Sequence, residues 1–149
     1  MIVYNDTKKQ FVDDVRCNVI ADKILTLVRE RGINAGQDAE FASWQNSMNF
    51  MRNIVDEREI DDEVRIAIEY NIPLTSKRVD FIISGADQND RDNVVIVELK
   101  QWQKAEKVDD SMHYSVRTYV GNSNRIVCHP SYQAYSYARF ISNYSEDVA

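Results

Sequence analysis

The sequence predicts a single α+β domain in which helices flank an antiparallel three-strand meander, and three observations carry that expectation. Two stretches near the N-terminus repeat apolar residues at helical spacing, three β-rich segments follow in series, and a helical run closes the chain after Pro130. At 149 residues with 44% hydrophobic content, the chain is long enough to bury a core.

From Phe11 to Arg31 the apolar positions Phe11, Val15, Ile20, Ile24, Leu27 and Val28 recur near helical spacing, and Gly32 stands where that helix would end. This is the N-terminal helical segment, residues 1–35. The core, residues 36–149, opens after Gly36 on a second helix whose Phe41, Trp44, Met48, Met51 and Val55 form one buried stripe. At about 100° per residue, Glu40 lies about 60° from the centre of that stripe, at its margin, where it can face a cleft.

The acidic stretch from Asp56 to Glu63 interrupts the helical period. Val64 to Ile72 is then dense in β-branched and aromatic residues and stops at Pro73, as a strand would. Val79, Phe81 and Ile83 alternate with Arg78, Asp80 and Ile82 in a second strand, and a polar loop, Ser84 to Asn93, follows. Val94 to Leu99 is a continuous apolar run, the pattern of a central strand covered on both faces. Asn122-Ser123-Asn124 marks a turn between Val116–Val120 and Arg125–Cys128, and Ser131 is placed to cap a helix running to Tyr144.

Composition narrows the function classes. No apolar run approaches the roughly 18 residues of a membrane span, and the N-terminus lacks a secretory signal, so a cytoplasmic protein without a membrane role is expected. Cys17 and Cys128 form no CxxC or zinc-type spacing and read as reduced thiols. The net charge of −6 counts against a passive nucleic-acid coat. Residues 100–140 nevertheless hold six basic side chains against three acidic ones, +3, which leaves −9 on the remainder. A polyanion can dock on that segment, with Lys104, Arg117 and Arg125 as candidate phosphate contacts that no spacing rule singles out.

A register argument brings the chemistry-bearing residues together. Facing residues in an antiparallel hairpin have position numbers of constant sum, and a loop centred on Asn89 puts Asp80 opposite Glu98. Two carboxylates side by side on one face destabilise a sheet unless something cationic lies between them. Lys100, two residues beyond Glu98, shares that face. Hard oxygen donors suit Mg²⁺ or Mn²⁺, and a nearby lysine can orient or deprotonate an attacking water. The competing reading is a solvated salt bridge between Lys100 and one carboxylate, since such triplets are common in charged proteins.

Asp80, followed by Glu98-Leu99-Lys100 at the end of an apolar strand, resembles the PD-(D/E)XK nuclease signature, and Gln133 to Tyr137 resembles the QxxxY motif of its RecB-like members. Residues 38–145 further resemble N-terminal domains of bacterial proteins that carry a Schlafen group-3-like helicase ATPase. The resemblance implies a restriction-endonuclease-like core with a central mixed sheet, and a Mg²⁺- or Mn²⁺-dependent phosphodiester hydrolase acting on DNA. It implies that Asp80 and Glu98 bind the metal, that Lys100 activates water, and that Gln133 and Tyr137 support the site and contact nucleic acid. It also calls for a helical glutamate to complete the metal site, with Glu40 first and Glu69 second. A C-terminal helicase partner and a setting in phage defence follow only by analogy.

The sequence departs from the family pattern in two places. Val79 stands where the proline before the catalytic aspartate is usual, and the sequence stops soon after the QxxxY helix, where the family core usually adds another strand, so either that strand is dispensable or the sequence is an excised domain. The alternatives are a silent nucleic-acid-binding or protein-interaction module, and an assembly domain that self-associates through an unpaired strand edge. The stretch Asp87 to Glu98 has EF-hand length but fails at Arg91 and Asp92. His113 and His129 lack the partners of a nucleophilic triad, and Trp44 and Trp102 read as packing residues, with Trp102 also able to stack on a base.

Overall fold

The computed structural model describes residues 3–32 and 38–146. Gly36 and the expected boundary at 35/36 lie outside the described residues. The chain forms two compact units, Met1–Val97 and Glu98–Ala149. Among the described residues it is a mixed α+β structure with four α-helices and two antiparallel sheets. None of the described helices is long and apolar enough to cross a membrane.

The first unit contains β1 (Tyr4–Thr7), α1 (Lys8–Arg16), α2 (Ile20–Glu30), α3 (Asp38–Val55), β2 (Arg65–Asn71), β3 (Arg78–Ala86) and β4 (Asp92–Val97). Its sheet has the order β1-β2-β3-β4. β1 is too short and too polar to stand out in the sequence; its Tyr4 finds a place opposite Ile68. The Thr7 hydroxyl accepts the Gln10 N–H at 3.2 Å and so starts α1.

The single N-terminal helix expected from Phe11 to Arg31 is instead two. Asn18 adopts φ +58°, and the amides of Cys17, Asn18 and Val19 turn back onto Asp13, Val15 and Asp14, which closes α1. The break re-aims the apolar face, so that Phe11 and Val15 on α1 and Ile20, Ile24 and Val28 on α2 are all buried. Phe11 packs edge-on against Phe81 of β3, ring centroids 5.4 Å apart. Gly32 ends α2 as expected, at φ +68°.

The β3–β4 register follows the sequence argument. Pairs run from Ala86↔Asp92 to Phe81↔Val97, every one with the sum that a loop centred on Asn89 requires. Within the loop the Asp87 carboxylate accepts the amides of Asn89 and Arg91, so it serves the turn.

Two expectations about the sheet are corrected. All described pairings are antiparallel rather than mixed, because short connections join neighbouring strands and no helical crossover separates β2, β3 and β4. β4 is not covered on both faces: Val94 and Val95 are more than half exposed, and among the described residues it pairs with β3 alone. The strand that carries four consecutive buried residues is β2, at Ile66 to Glu69.

The second unit holds β5 (Ala105–Lys107), a 3-10 turn at Asp110–Met112, β6 (Ser115–Val120), β7 (Ser123–Cys128) and α4 (Pro130–Glu146). The β6–β7 turn is Gly121-Asn122, both at positive φ, which places it just before the expected Asn122-Ser123-Asn124. Ser131 is not the cap of α4. Pro130 occupies the first helical position, and His129 Nδ1 accepts the Ser131 N–H at 3.1 Å while its carbonyl accepts the Gln133 N–H. Both cysteines are unbridged and exposed.

Candidate active site

In the first unit, carboxylates gather around one guanidinium. Glu40 and Trp44 are four residues apart on α3 and so share a helix face. The Trp44 indole N–H donates to Glu69 Oε1 at 2.9 Å, and Arg78 meets Glu69 Oε2 at 3.0 Å and Glu40 Oε1 at 3.8 Å. Asp80 stands two residues beyond Arg78 on β3.

The backbone at Glu69 is strained. Pairing between β2 and β3 runs from Arg65↔Ser84 to Ile68↔Phe81 and resumes at Tyr70↔Val79. Glu69, between them, has φ +54°, a conformation that costs a non-glycine residue about 1–3 kcal/mol and persists only where the surroundings impose it. Asp80 is the residue between Val79 and Phe81, so the interruption falls at the step where Glu69 and Asp80 would pair as like charges.

Burial is the main reason the Glu69 carboxyl is held above the ordinary glutamate range; the charges of Asp80 and Glu40 push the same way, and the Trp44 hydrogen bond and Arg78 oppose them. A strained, buried carboxylate beside two others is an arrangement that recurs at functional sites.

The second unit assembles the other motif residues. Glu98 has a side chain only 3% exposed, and its Oε1 receives both the Lys100 ammonium at 2.5 Å and the Gln133 amide at 2.6 Å. The same Gln133 nitrogen donates to the Tyr137 hydroxyl at 2.8 Å. Tyr137 is buried, which fixes the far end of this chain of bonds. Residues 35 positions apart thus meet on one carboxylate oxygen.

The sequence-selected residues therefore fall into two sets, Asp80 and Glu40 in the first unit and Glu98, Lys100, Gln133 and Tyr137 in the second. The paired register ends at Phe81↔Val97, one step short of Asp80 and Glu98. The three candidate phosphate contacts have partners within their own sheet. Lys104 pairs with Glu106 at 2.6 Å, Arg117 lies across from Glu106, and Arg125 Nε donates to Ser123.

Sequence reasoning assigned no role to Arg78 and read Trp44 as packing alone. The available signals were position: Arg78 shares the strand face of Asp80, and Trp44 the helix face of Glu40. The carboxylate oxygens in these sets are hard donors of the kind that Mg²⁺ or Mn²⁺ takes. Among the described residues, no group of three or more Asp, Glu, His or Cys side chains converges as a ready-made ligand set. Comparison of the chain with protein-family models, with curated proteins and with solved structures finds no match.

Proposed function

We propose that this chain is a metal-dependent nuclease domain of the PD-(D/E)XK type, with a restriction-endonuclease-like core, that hydrolyses phosphodiester bonds in nucleic acid, DNA foremost. The observation that carries the reading is the Gln133–Glu98 hydrogen bond. It joins the ExK triplet to the QxxxY helix on the oxygen that Lys100 also contacts, a convergence that a salt bridge at a strand end does not require. Further support is the strained, carboxylate-rich surrounding of Asp80, where Glu69 and Glu40 both meet Arg78.

In this reading Asp80 and Glu98 would supply hard oxygen ligands, and Glu40, or Glu69 as second candidate, would complete the set. A bound Mg²⁺ or Mn²⁺ supplies polarisation of the phosphate and a lowered pKa for water. Lys100 would orient the attacking water. Gln133 holds the Glu98 carboxylate in one orientation through Oε1, and Tyr137 holds Gln133. Lys104, Arg117 and Arg125 contact the phosphate backbone once released from their local partners. A helicase-type ATPase in the same longer protein, a cytoplasmic location and a role in defence against foreign DNA complete the proposal.

The test is cleavage of single- and double-stranded DNA and RNA in Mn²⁺, Mg²⁺ or EDTA, beside folded Asp80→Ala and Lys100→Ala variants. Metal-dependent cutting lost in both variants is the expected result. Cutting that persists in both, or survives EDTA, removes the proposal. A second reading, nucleic-acid or protein binding without cleavage, is favoured by Arg78, which already serves Glu69 and reaches Glu40. Wild-type protein that neither cuts nor binds Mn²⁺ would select it.

A further inference from the structure

From Ser111 to Ser145 the sequence contains no aspartate or glutamate, yet it holds six of the eight tyrosines, both histidines and three arginines. Such a segment repels no phosphate and is rich in flat rings. Three of those tyrosines form a ladder. The Tyr114 and Tyr132 rings stack with centroids 4.2 Å apart and planes 25° from parallel, and Tyr135 continues the series at 6.4 Å and 31°.

The ladder is on the surface. Its two end rings are each 60% exposed and its middle ring 40%. Tyr132, Tyr135 and the exposed Arg139 lie at helical spacing on one face of α4. At 3.6 residues per turn, Gln133 and Tyr137 project about 150° away around the same helix, so the ladder is separate from the Glu98 cluster.

We infer that Tyr114, Tyr132 and Tyr135 form a base-stacking platform for unpaired nucleotides of a single-stranded nucleic acid, with Arg139 meeting its phosphates. Near-parallel rings with free end faces continue naturally into a stacked base, and bases within a duplex have both faces covered by their neighbours. The segment that carries the ladder holds three arginines and no carboxylate, which fits a polyanion. It gives no corresponding advantage to a proline-rich peptide, which docks in a groove between aromatic walls. The inference rests on the nuclease reading only in treating that strand as substrate, and it selects single-stranded DNA or frayed ends over intact duplex.

The experiment is fluorescence anisotropy of the full chain with a labelled oligo-dT of about 15 nucleotides, a length that spans such a platform. It is run in EDTA beside a duplex of equal length, so that neither metal nor cleavage enters. The wild type should prefer the single strand. Tyr114→Ala and Tyr135→Ala should each weaken that binding by about 5- to 100-fold, the range for removing one aromatic stacking partner. Tyr135→Phe should bind as wild type, because the ring face is retained. Circular dichroism establishes that each variant is folded, as the exposure of both tyrosines leads us to expect.

Unchanged oligo-dT binding in both folded alanine variants would overturn the inference, as would duplex preferred over single strand. So would wild-type protein that shows no binding at about 100 µM, the weak limit of ordinary non-specific association. Loss of a proline-rich peptide's binding in these variants with oligo-dT unaffected would assign the patch to a protein instead. A wild type that cuts while the alanine variants bind normally would defeat this inference alone. Variants that lose binding, in a protein that never cuts, would defeat the nuclease reading alone.

Discussion

The Gln133 side-chain amide donates to Glu98 Oε1 at 2.6 Å and to the Tyr137 hydroxyl at 2.8 Å, so one side chain ties an almost fully buried carboxylate to a buried tyrosine. Lys100 reaches the same oxygen. Geometry of this kind restricts the orientation of Glu98 more than a single ion pair would.

Gln133→Ala should therefore weaken both Mn²⁺ affinity and metal-dependent cleavage by about 10- to 100-fold, the cost commonly seen when the group orienting a metal ligand is removed. Isothermal titration and an initial-rate assay read the two quantities separately. Wild-type values for both would show that Gln133 does not position Glu98 for chemistry.

Glu69 sets a pH dependence of stability. Its folded-state pKa lies above the ordinary value of 4.5, so the folded protein binds more protons than the unfolded one just above that pH. Stability from this group is present below the unfolded pKa and is lost as pH rises through the folded pKa. In EDTA, the urea midpoint of the wild type should fall relative to that of Glu69→Gln as pH rises above about 4.5. Parallel pH profiles would refute the assignment.

Asp14 is a structural carboxylate. Buried in α1, it accepts the Tyr4 hydroxyl at 3.0 Å, Gln10 Nε2 at 2.7 Å and Lys23 Nζ at 2.8 Å. Burial, followed by the neighbouring Asp14 charge, pushes the Tyr4 hydroxyl far above its ordinary range, so it remains a donor. Asp14→Ala should lower unfolding free energy by about 2–4 kcal/mol, because three donors lose their acceptor at once, and Tyr4→Phe by about 1 kcal/mol. Urea denaturation measures both, and an Asp14→Ala loss no larger than that of Tyr4→Phe would contradict the network.

The cap of α4 is open to a direct comparison. His129→Ala should cost about 1 kcal/mol in urea unfolding, and His129→Asn should recover most of it, since asparagine can offer the Ser131 N–H an oxygen in place of Nδ1. Ser131→Ala should be nearly silent. The reverse order of effects would return the cap to Ser131.

The sequence by itself determined the features that depend on local period and chain connectivity. The meander register was legible because loop length fixes the sum of paired positions, and β3 and β4 keep it from Ala86↔Asp92 to Phe81↔Val97. The helical spacing of Gln133 and Tyr137, and the candidacy of Glu98 and Lys100, were legible in the same way, since four residues make one helical turn and two make one strand repeat.

The tertiary structure decided what depends on which distant surface an element meets. The apolar text of β4 looks the same in a central strand and in one with a single neighbour, and only the strand order leaves Val94 and Val95 exposed. The break at Asn18 answers the need of two helices to bury separate faces. Glu69 is an ordinary glutamate in the sequence; burial, the Trp44 indole 25 residues away and Arg78 across the β2–β3 connection give it its strain and its altered proton affinity. Desolvation and charge proximity are properties of packed space, and neither is written in the spacing of residues along the chain.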